Sequence, residues 1–488
     1  MQSNVILINP PWFFAHERDI ILSQNLGLGY LAAFLVEHGH KVTIIDALAE
    51  GVSNRRKIIE KKKSFLQVGL DYEKIAQKIP RDADFIGISA PFTNNASIVK
   101  ELAKVIKGYF PTKPILLGGV YPSLTPVHAF CPEIDYYVIG EGEIPLLEIA
   151  SGVNPEQVQG VLAYGQSNKK IEKAKVIAKL DTIPFPSRNK LPMSQYLSFC
   201  SPRKDKPKTA SMITSRGCPY DCTFCSIHSI TGYKWRMRSA KNVLDEVKLL
   251  VEKFGVEHIE FEDDNFTLDK KRAIAIFEGI EKINFEIKPV SWSTPNAVRI
   301  DSLDKKLLKI IKKSNCLSLN FAVESGDPAL LEQMDKKLNL DTVIYVTELC
   351  KQLDIKVNAF FMIGYPGEDH ASFKKTLSLI KKLKRLGVEN IYSTITRAYP
   401  GTKLYDFCEK NNYIYDFNNK DNTYLGNAIT FDNAIITPDF NEKILLERLR
   451  LIEKAAYPFY LRFYYKYFYQ IKKVVPIELI KFIKKMIG

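Results

Sequence analysis

Ser215-Arg-Gly-Cys-Pro-Tyr-Asp-Cys-Thr-Phe-Cys-Ser226 is the stretch that decides how this chain is read. Three of the eight cysteines, Cys218, Cys222 and Cys225, stand there in a CxxxCxxC spacing, directly after the β-prone run Ala210 to Thr214. A strand that hands three thiolates to a short loop is suited to hold three irons of a four-iron cluster and to leave the fourth iron without a protein ligand. The open iron is then the reactive position. A structural zinc site is the competing reading, but zinc closes its shell with four ligands, commonly as paired CxxC-like knuckles, and the chain has no second pair. Cys131, Cys200, Cys316, Cys350 and Cys408 are scattered singly and read as small buried hydrophobes.

Upstream of this loop, Val5-Ile-Leu-Ile8, Val42-Thr-Ile-Ile45, Phe85-Ile-Gly-Ile88 and Ile115-Leu-Leu117 are short apolar runs separated by helix-length segments. Runs of this kind read as strands of a parallel α/β sheet covered on both faces. In such sheets ligands sit beyond the carboxyl ends of the strands, where this chain has Asn9-Pro-Pro11, Asp46, Ser89-Ala-Pro-Phe-Thr93 and Gly118-Gly-Val-Tyr-Pro-Ser123. A first domain over residues 1–150 is therefore expected. The basic run Arg55-Arg-Lys-Ile-Ile-Glu-Lys-Lys-Lys63 reads as a charged, solvated helical face. From Gly165 to Lys208 the period is lost and five prolines appear, so residues 151–208 read as a linker.

Downstream, strands and helices alternate. Ser239 caps a helix that Gly255 ends, and a second helix is expected from Leu268 to Gly279. His258–Asp264, Val290–Ser293, Leu317–Val323, Lys356–Ile363 and Asn390–Thr396 supply strands. With the strand before Cys218 they make six βα units, a partial barrel over residues 209–425 with its chemistry at the strand carboxyl ends. Those ends carry Glu262-Asp-Asp264, Glu324-Ser-Gly326, Gly364-Tyr-Pro-Gly-Glu-Asp369, and Arg397 with Tyr399-Pro-Gly-Thr402. The fold class is thus α/β throughout, a Rossmann-like domain followed by a partial (β/α)6 barrel.

In this order the motifs resemble the radical S-adenosylmethionine superfamily, and residues 1–150, with Leu26-Gly-Leu-Gly-Tyr30, Glu37-His-Gly-His40 and Gly140-Glu-Gly-Glu143, resemble the cobalamin-binding domain that precedes many of its members. The resemblance implies a 4Fe-4S cluster on Cys218, Cys222 and Cys225 whose open iron chelates S-adenosylmethionine. It also implies Phe224 near the adenine, Asp263 on the cofactor ammonium in place of the family's Gly-Gly-Glu motif, Glu324 and Ser325 at its ribose or methionyl end, and close backbone approach at Gly364 and Pro366. The alternative for Asp263 is a carboxylate capping the next helix. For cobalamin it implies Ser89, Thr93, Gly118, Gly119, Tyr121, Glu141 and Gly142. The DxHxxG loop of classical corrinoid carriers is missing, and Tyr121 stands where some relatives have histidine. Cobalamin bound with its own base displaced and no protein nitrogen on cobalt is expected, with His128 a surface or helix residue. A degenerate Rossmann-like module that binds nothing is the alternative for this domain.

The family chemistry implied is methylation of an unactivated carbon, one S-adenosylmethionine methylating the corrinoid cobalt and a second yielding the deoxyadenosyl radical that abstracts a substrate hydrogen. An external electron donor of flavodoxin or ferredoxin type goes with it, and the substrate is a small or lipid-like molecule. The other readings are a non-methylating ring-forming or rearranging enzyme and a corrinoid and iron-sulfur sensor without turnover.

The formal charge of +14 suggests an acidic partner surface, nucleic acid or anionic lipid, and charge alone does not choose between them; with the other features no nucleic-acid partner is expected. No stretch reaches the about 18 apolar residues of a membrane span, and Met1-Gln-Ser-Asn-Val-Ile-Leu-Ile8 enters a strand pattern without signal-peptide features. A cytoplasmic protein is expected. The segment 426–488 ends in an aromatic and basic helical stretch, Tyr457 to Ile487, read either as a cap on the barrel or as a peripheral membrane contact.

Overall fold

The computed structural model describes residues 2–60, 63–166, 172–199, 207–414 and 434–457. Its first part holds β1 (Asn4–Asn9), β2 (Trp12–Phe14), β3 (Lys41–Asp46), β4 (Arg55–Glu60), β5 (Lys63–Val68), β6 (Phe85–Ser89), β7 (Ile115–Gly118), β8 (Tyr136–Val138) and β9 (Val161–Ala163). Six of these form one sheet in the order β3-β1-β6-β7-β8-β9, parallel except for β9. The apolar runs fill it as expected, with Ile6, Ile8, Ile86 and Leu117 packed on one face and Val5, Leu7, Val42 and Leu116 on the other. Because β9 pairs with β8, this sheet reaches past residue 150 to Ala163.

The basic run at Arg55 is not helical. It is β4 of a hairpin with β5, and β5 also pairs with β2. The charged residues hid the partner, Lys63-Ser-Phe-Leu-Gln-Val68, whose Phe65, Leu66 and Val68 pack toward Phe13, Trp12 and Phe14.

The second part holds β10 (Thr209–Met212), β11 (Ser215–Arg216), β12 (Arg236–Met237), β13 (His258–Phe261), β14 (Ser291–Val298), β15 (Cys316–Glu324), β16 (Lys356–Ile363) and β17 (Asn390–Ile395). The order β10-β13-β14-β15-β16-β17 is wholly parallel, so the six expected βα units are present. Ser239, Asp269, Asp304, Asn339 and Asp369 each accept a backbone N–H at a helix start, which fixes the loops at the strand carboxyl ends. The second helix runs Lys270–Glu286, through Gly279 rather than ending there. A Cβ on Gly279 would lie 2.2 Å from Leu244, so this glycine serves close helix packing, not a cap.

The linker is a wedge. Tyr196 donates to buried Asp46, Lys190 to the Val42 carbonyl, and Arg188 bonds Gln24 of the first part and the Ser211 carbonyl and Glu246 of the second. The helix Glu442–Ala456 docks on the barrel through Leu445, Ile452 and Ala456. The tail beyond Tyr457 lies outside the described residues. No helix among the described residues is long and apolar enough to cross a membrane.

Candidate active site

The carboxyl ends of the two sheets flank a cleft with about 1260 Å³ not filled by protein atoms, part of it open to solvent. Leu7, Ser89, Gly118, Gly119, Glu141 and Gly142 line it from the first part, and Ile213, Ser215, Arg216, Ile227, Glu262 and Asp264 from the second. Gly119 takes φ 109°, and a Cβ there would stand 2.6 Å from the Ala90 carbonyl oxygen, so the turn out of β7 admits no side chain. A Cβ on Gly118 would meet only Val138, at 3.9 Å. The floor of the cleft is bare backbone at that point.

The cysteine loop leaves β10 through the short ribbon of β11 and β12. Cys218, Cys222 and Cys225 are half-buried free thiols. Burial pushes Cys225 up to about 11 and also raises Cys222, against the pull of Lys336 and Arg299. The loop is pinned at several points: Thr223 N donates to the Met334 carbonyl at 3.0 Å, Leu404 N to the Thr223 carbonyl at 2.9 Å, and Lys403 to Asp221 at 2.5 Å. His228 lies 3.1 Å from the Cys218 carbonyl and stacks on Tyr233. Phe224 packs against the barrel core with Lys336 Nζ 5.9 Å from its ring. Among the described residues no three His, Cys, Asp or Glu side chains converge as one metal ion requires. A four-iron cluster makes a different demand, one thiolate on each of three irons.

The acidic tip of β13 departs from the expectation for Asp263. Its carboxylate is turned away from the cleft and buried, accepting from Thr214 N at 3.0 Å, Thr214 Oγ1 at 2.7 Å and Ser215 Oγ at 2.5 Å. Burial raises its pKa, and the Arg272 charge opposes the rise. Side chains alternate along an extended chain. Ile259, Phe261 and Asp263 face the packed side, while Glu262 and Asp264 face the cleft. Asp264 is open to the cleft, yet the protein around it, and then the charge of Asp263, push its pKa up to about 6, with the Gly217 N–H pulling back. Glu262, raised by burial, accepts from Ser211 at 2.5 Å and from Ser23 of the first part at 3.4 Å. The alternation of Ile259 and Phe261 within β13 points the same way, but β13 ends at Phe261, so the side on which Asp264 stands is set by the bend that follows the strand.

Glu324 ends β15 in the left-handed region at φ 68°, buried and paired with Lys336 at 3.1 Å. The Ser325 hydroxyl is 3.2 Å from Thr376 on the helix His370–Arg385 and accepts from Asp327 N at 3.1 Å. Gly364 N donates to Glu368 Oε2 at 2.5 Å beside buried Pro366, and Glu368 pairs with Arg448 of the last described helix at 3.0 Å. None of Glu324, Ser325, Gly364 and Pro366 lines the cleft between the sheets.

A model for the radical SAM superfamily matches residues 212–380, and one for the B12 binding domain matches residues 22–150. An uncharacterized methyltransferase of Pyrococcus horikoshii is 31% identical over 466 residues, which cover 94% of this chain and 92% of that protein. The chain belongs to the radical SAM superfamily, in the branch that carries a B12-binding domain. A cytidylyl-2-hydroxyethylphosphonate methyltransferase of Streptomyces wedmorensis is 29% identical over 74% of this chain and 73% of its own length. Among solved structures, the radical S-adenosylmethionine methyltransferase TsrM of Kitasatospora setae shares the fold, with a TM-score of 0.66 at 16% identity over 84% of this chain and 78% of that one.

In this radical SAM protein the cobalamin expectations divide. Ser89, Gly118, Gly119, Glu141 and Gly142 are on the cleft, whereas Thr93 and Tyr121 are not. Tyr121 is fully buried in the core behind the sheet, because the helical turn after Gly119 sends residues 120 and 121 to opposite sides and leaves Val120 on the cleft. Thr93 is buried at the start of a 3-10 turn. Glu141 touches the cleft, but Arg216 at 3.0 Å and Arg236 take up its oxygens.

Proposed function

We propose that this protein is a cobalamin-dependent radical S-adenosylmethionine methyltransferase acting on an unactivated carbon of a small-molecule substrate. The observation that carries the reading is the cleft itself, which has a bare glycine floor on one wall and the base of the cysteine loop with Asp264 on the other. A corrin is broad and flat, and the cleft wall at Gly118, where a Cβ would meet only Val138 at 3.9 Å, carries no side chain to obstruct it. When bound, the cluster supplies the electron, S-adenosylmethionine the methyl group and the carbon radical, and cobalamin the methyl carrier.

The remaining work belongs to the chain. Cys218, Cys222 and Cys225 lose their protons to bind iron, and Lys336 and Arg299 favour the Cys222 thiolate. Asp264, rather than Asp263, holds the cofactor ammonium, and Glu324, Ser325, Gly364 and Pro366, which stand outside the cleft, shape the ends of β15 and β16. Leu7, Ile213 and Ile227 keep water from the reacting carbon. An external low-potential carrier of flavodoxin or ferredoxin type delivers the electron, and a reducing cytoplasm suits the cluster.

The test needs no substrate. Protein reconstituted anaerobically with iron, sulfide, hydroxocobalamin and S-adenosylmethionine, then reduced, is expected to release both 5'-deoxyadenosine and S-adenosylhomocysteine. Deoxyadenosine without S-adenosylhomocysteine would remove methyl transfer, and neither product would remove the radical reading too.

A further inference from the structure

We propose that Glu141, Glu143, Arg216 and Arg236 form a positioning latch that sets the separation and orientation of the cobalamin and cluster sites across the domain boundary. The proposal rests on the functional reading above and concerns how its two halves are held together. Arg216 reaches Glu141 at 3.0 Å with one nitrogen and Glu143 at 2.7 Å with the other. Arg236, its cross-strand partner in the β11–β12 ribbon, takes both oxygens of Glu141 and the Ile177 carbonyl at 2.9 Å. Two carboxylates of the first part thus meet two guanidiniums of the second, and the charges cancel.

All four side chains are withdrawn from water, the most open at 13% exposure. Burial opposes both charges, yet the Arg216 guanidinium outweighs it and holds Glu143 below the usual carboxylate range. The Arg216 guanidinium also stands 5.3 Å over the Tyr30 ring, and Tyr30 in turn donates to the Ile213 carbonyl at 3.3 Å.

A buried ion cluster adds little net stability over apolar packing, but a missing arm leaves a charge without its partner. Such a cluster is therefore suited to fixing one register between two bodies. Its location matches that task. Glu141 and Gly142 line the cleft on the first wall, and Arg216 lies two residues before Cys218 on the second. The loop that touches the corrin side and the loop that carries the cysteines are joined through four charged groups. The carboxylates of Gly140-Glu-Gly-Glu143 serve geometry, not cofactor contact.

The experiment compares wild type with the E141Q/E143Q double variant and the milder E143Q, each reconstituted with the cluster and hydroxocobalamin and then reduced to Co(II) and the paramagnetic cluster. Iron and cobalamin content are expected to stay at the wild-type stoichiometry. The cluster-induced relaxation of the Co(II) spin is expected to slow several-fold in the double variant and less in E143Q, and R216K is expected to fall between wild type and the double variant. Small-angle scattering of cofactor-free protein is expected to show a larger radius of gyration in the double variant. If relaxation and radius match wild type in every variant, the latch is wrong. If the variants lose cobalamin itself while Co(II)–cluster relaxation in the remaining loaded fraction is unchanged, the carboxylates are ligands and the latch is again wrong. If wild type takes up no cluster or no cobalamin, the functional reading fails and the latch goes with it.

Discussion

Neighbouring carboxylates at the tip of β13 are expected to fail in opposite ways when neutralised. In Asp263→Asn one carbonyl oxygen has to replace two, so at most part of the set from Thr214 N, Thr214 Oγ1 and Ser215 Oγ survives, and the new NH2 faces donors. Arg272, itself buried and bonded to the Thr214 carbonyl at 2.8 Å, loses its facing charge. Leaving a buried donor without its acceptor costs about 1–3 kcal/mol. Asp264→Asn loses one N–H contact from Gly217 at the edge of an open cleft, a change of about 0.5 kcal/mol or less for a site of this kind. Its expected cost is in binding, where a charge-assisted hydrogen bond to an ammonium is worth about 1.5–3 kcal/mol, or about 10- to 150-fold in Kd. Urea unfolding of the cofactor-free proteins and equilibrium dialysis of S-adenosylmethionine on the cluster-loaded ones separate the two effects. A stable Asp263→Asn that no longer binds the cofactor, beside an Asp264→Asn that binds normally, would refute the assignment and restore Asp263.

The pKa of Asp264, pushed up to about 6, gives the pH dependence its sign: the carboxylate is charged above that value and neutral below it. S-adenosylmethionine retention is therefore expected to fall between pH 7 and pH 5 in wild type and to stay flat in Asp264→Asn, as followed by dialysis. Replacing any one of Cys218, Cys222 and Cys225 with alanine should abolish the visible absorption of the cluster while cobalamin uptake continues. Gly118→Leu, whose side chain would enter the cleft, should weaken hydroxocobalamin retention by about tenfold or more, the equivalent of only about 1.4 kcal/mol of overlap. Tyr121→Phe should leave both the amount of bound cobalamin and the paramagnetic resonance of its Co(II) form unchanged, because the ring lies in the core behind the sheet.

Much of the architecture could be read from the chain because its strands are continuous apolar runs. Val5–Ile8, Phe85–Ile88 and Lys356–Ile363 announce themselves by composition, and capping residues such as Ser239 mark helix starts. What was misread depends on partners distant in sequence. Arg55–Glu60 looks like a charged helix until Lys63–Val68 and Trp12–Phe14 are set beside it. Gly279 looks like a helix end until Leu244 is brought against it. Tyr121 sits in a motif that points at the cofactor, but the turn at Gly119 decides which of two adjacent residues does so.

The Gly364-Tyr-Pro-Gly-Glu368 turn carries that distinction furthest. Its last residue is fully enclosed, takes the Gly364 N–H at 2.5 Å and is pushed up to about 7 by burial, even with Arg448 at 3.0 Å. An ammonium or ribose brought to Glu368 would have to displace both partners, so its carboxylate does not offer itself to a ligand. What it does is tie the end of β16 to the helix Glu442–Ala456, which lies some 80 residues further along the chain. A motif recognised by its letters thus divides into a glycine and proline that shape the strand end, and a glutamate that holds them there from behind. The same division separates Asp264 from Asp263 and Gly142 from Glu141: in each pair one residue meets the cleft freely, and its neighbour is committed to the protein that keeps it in place.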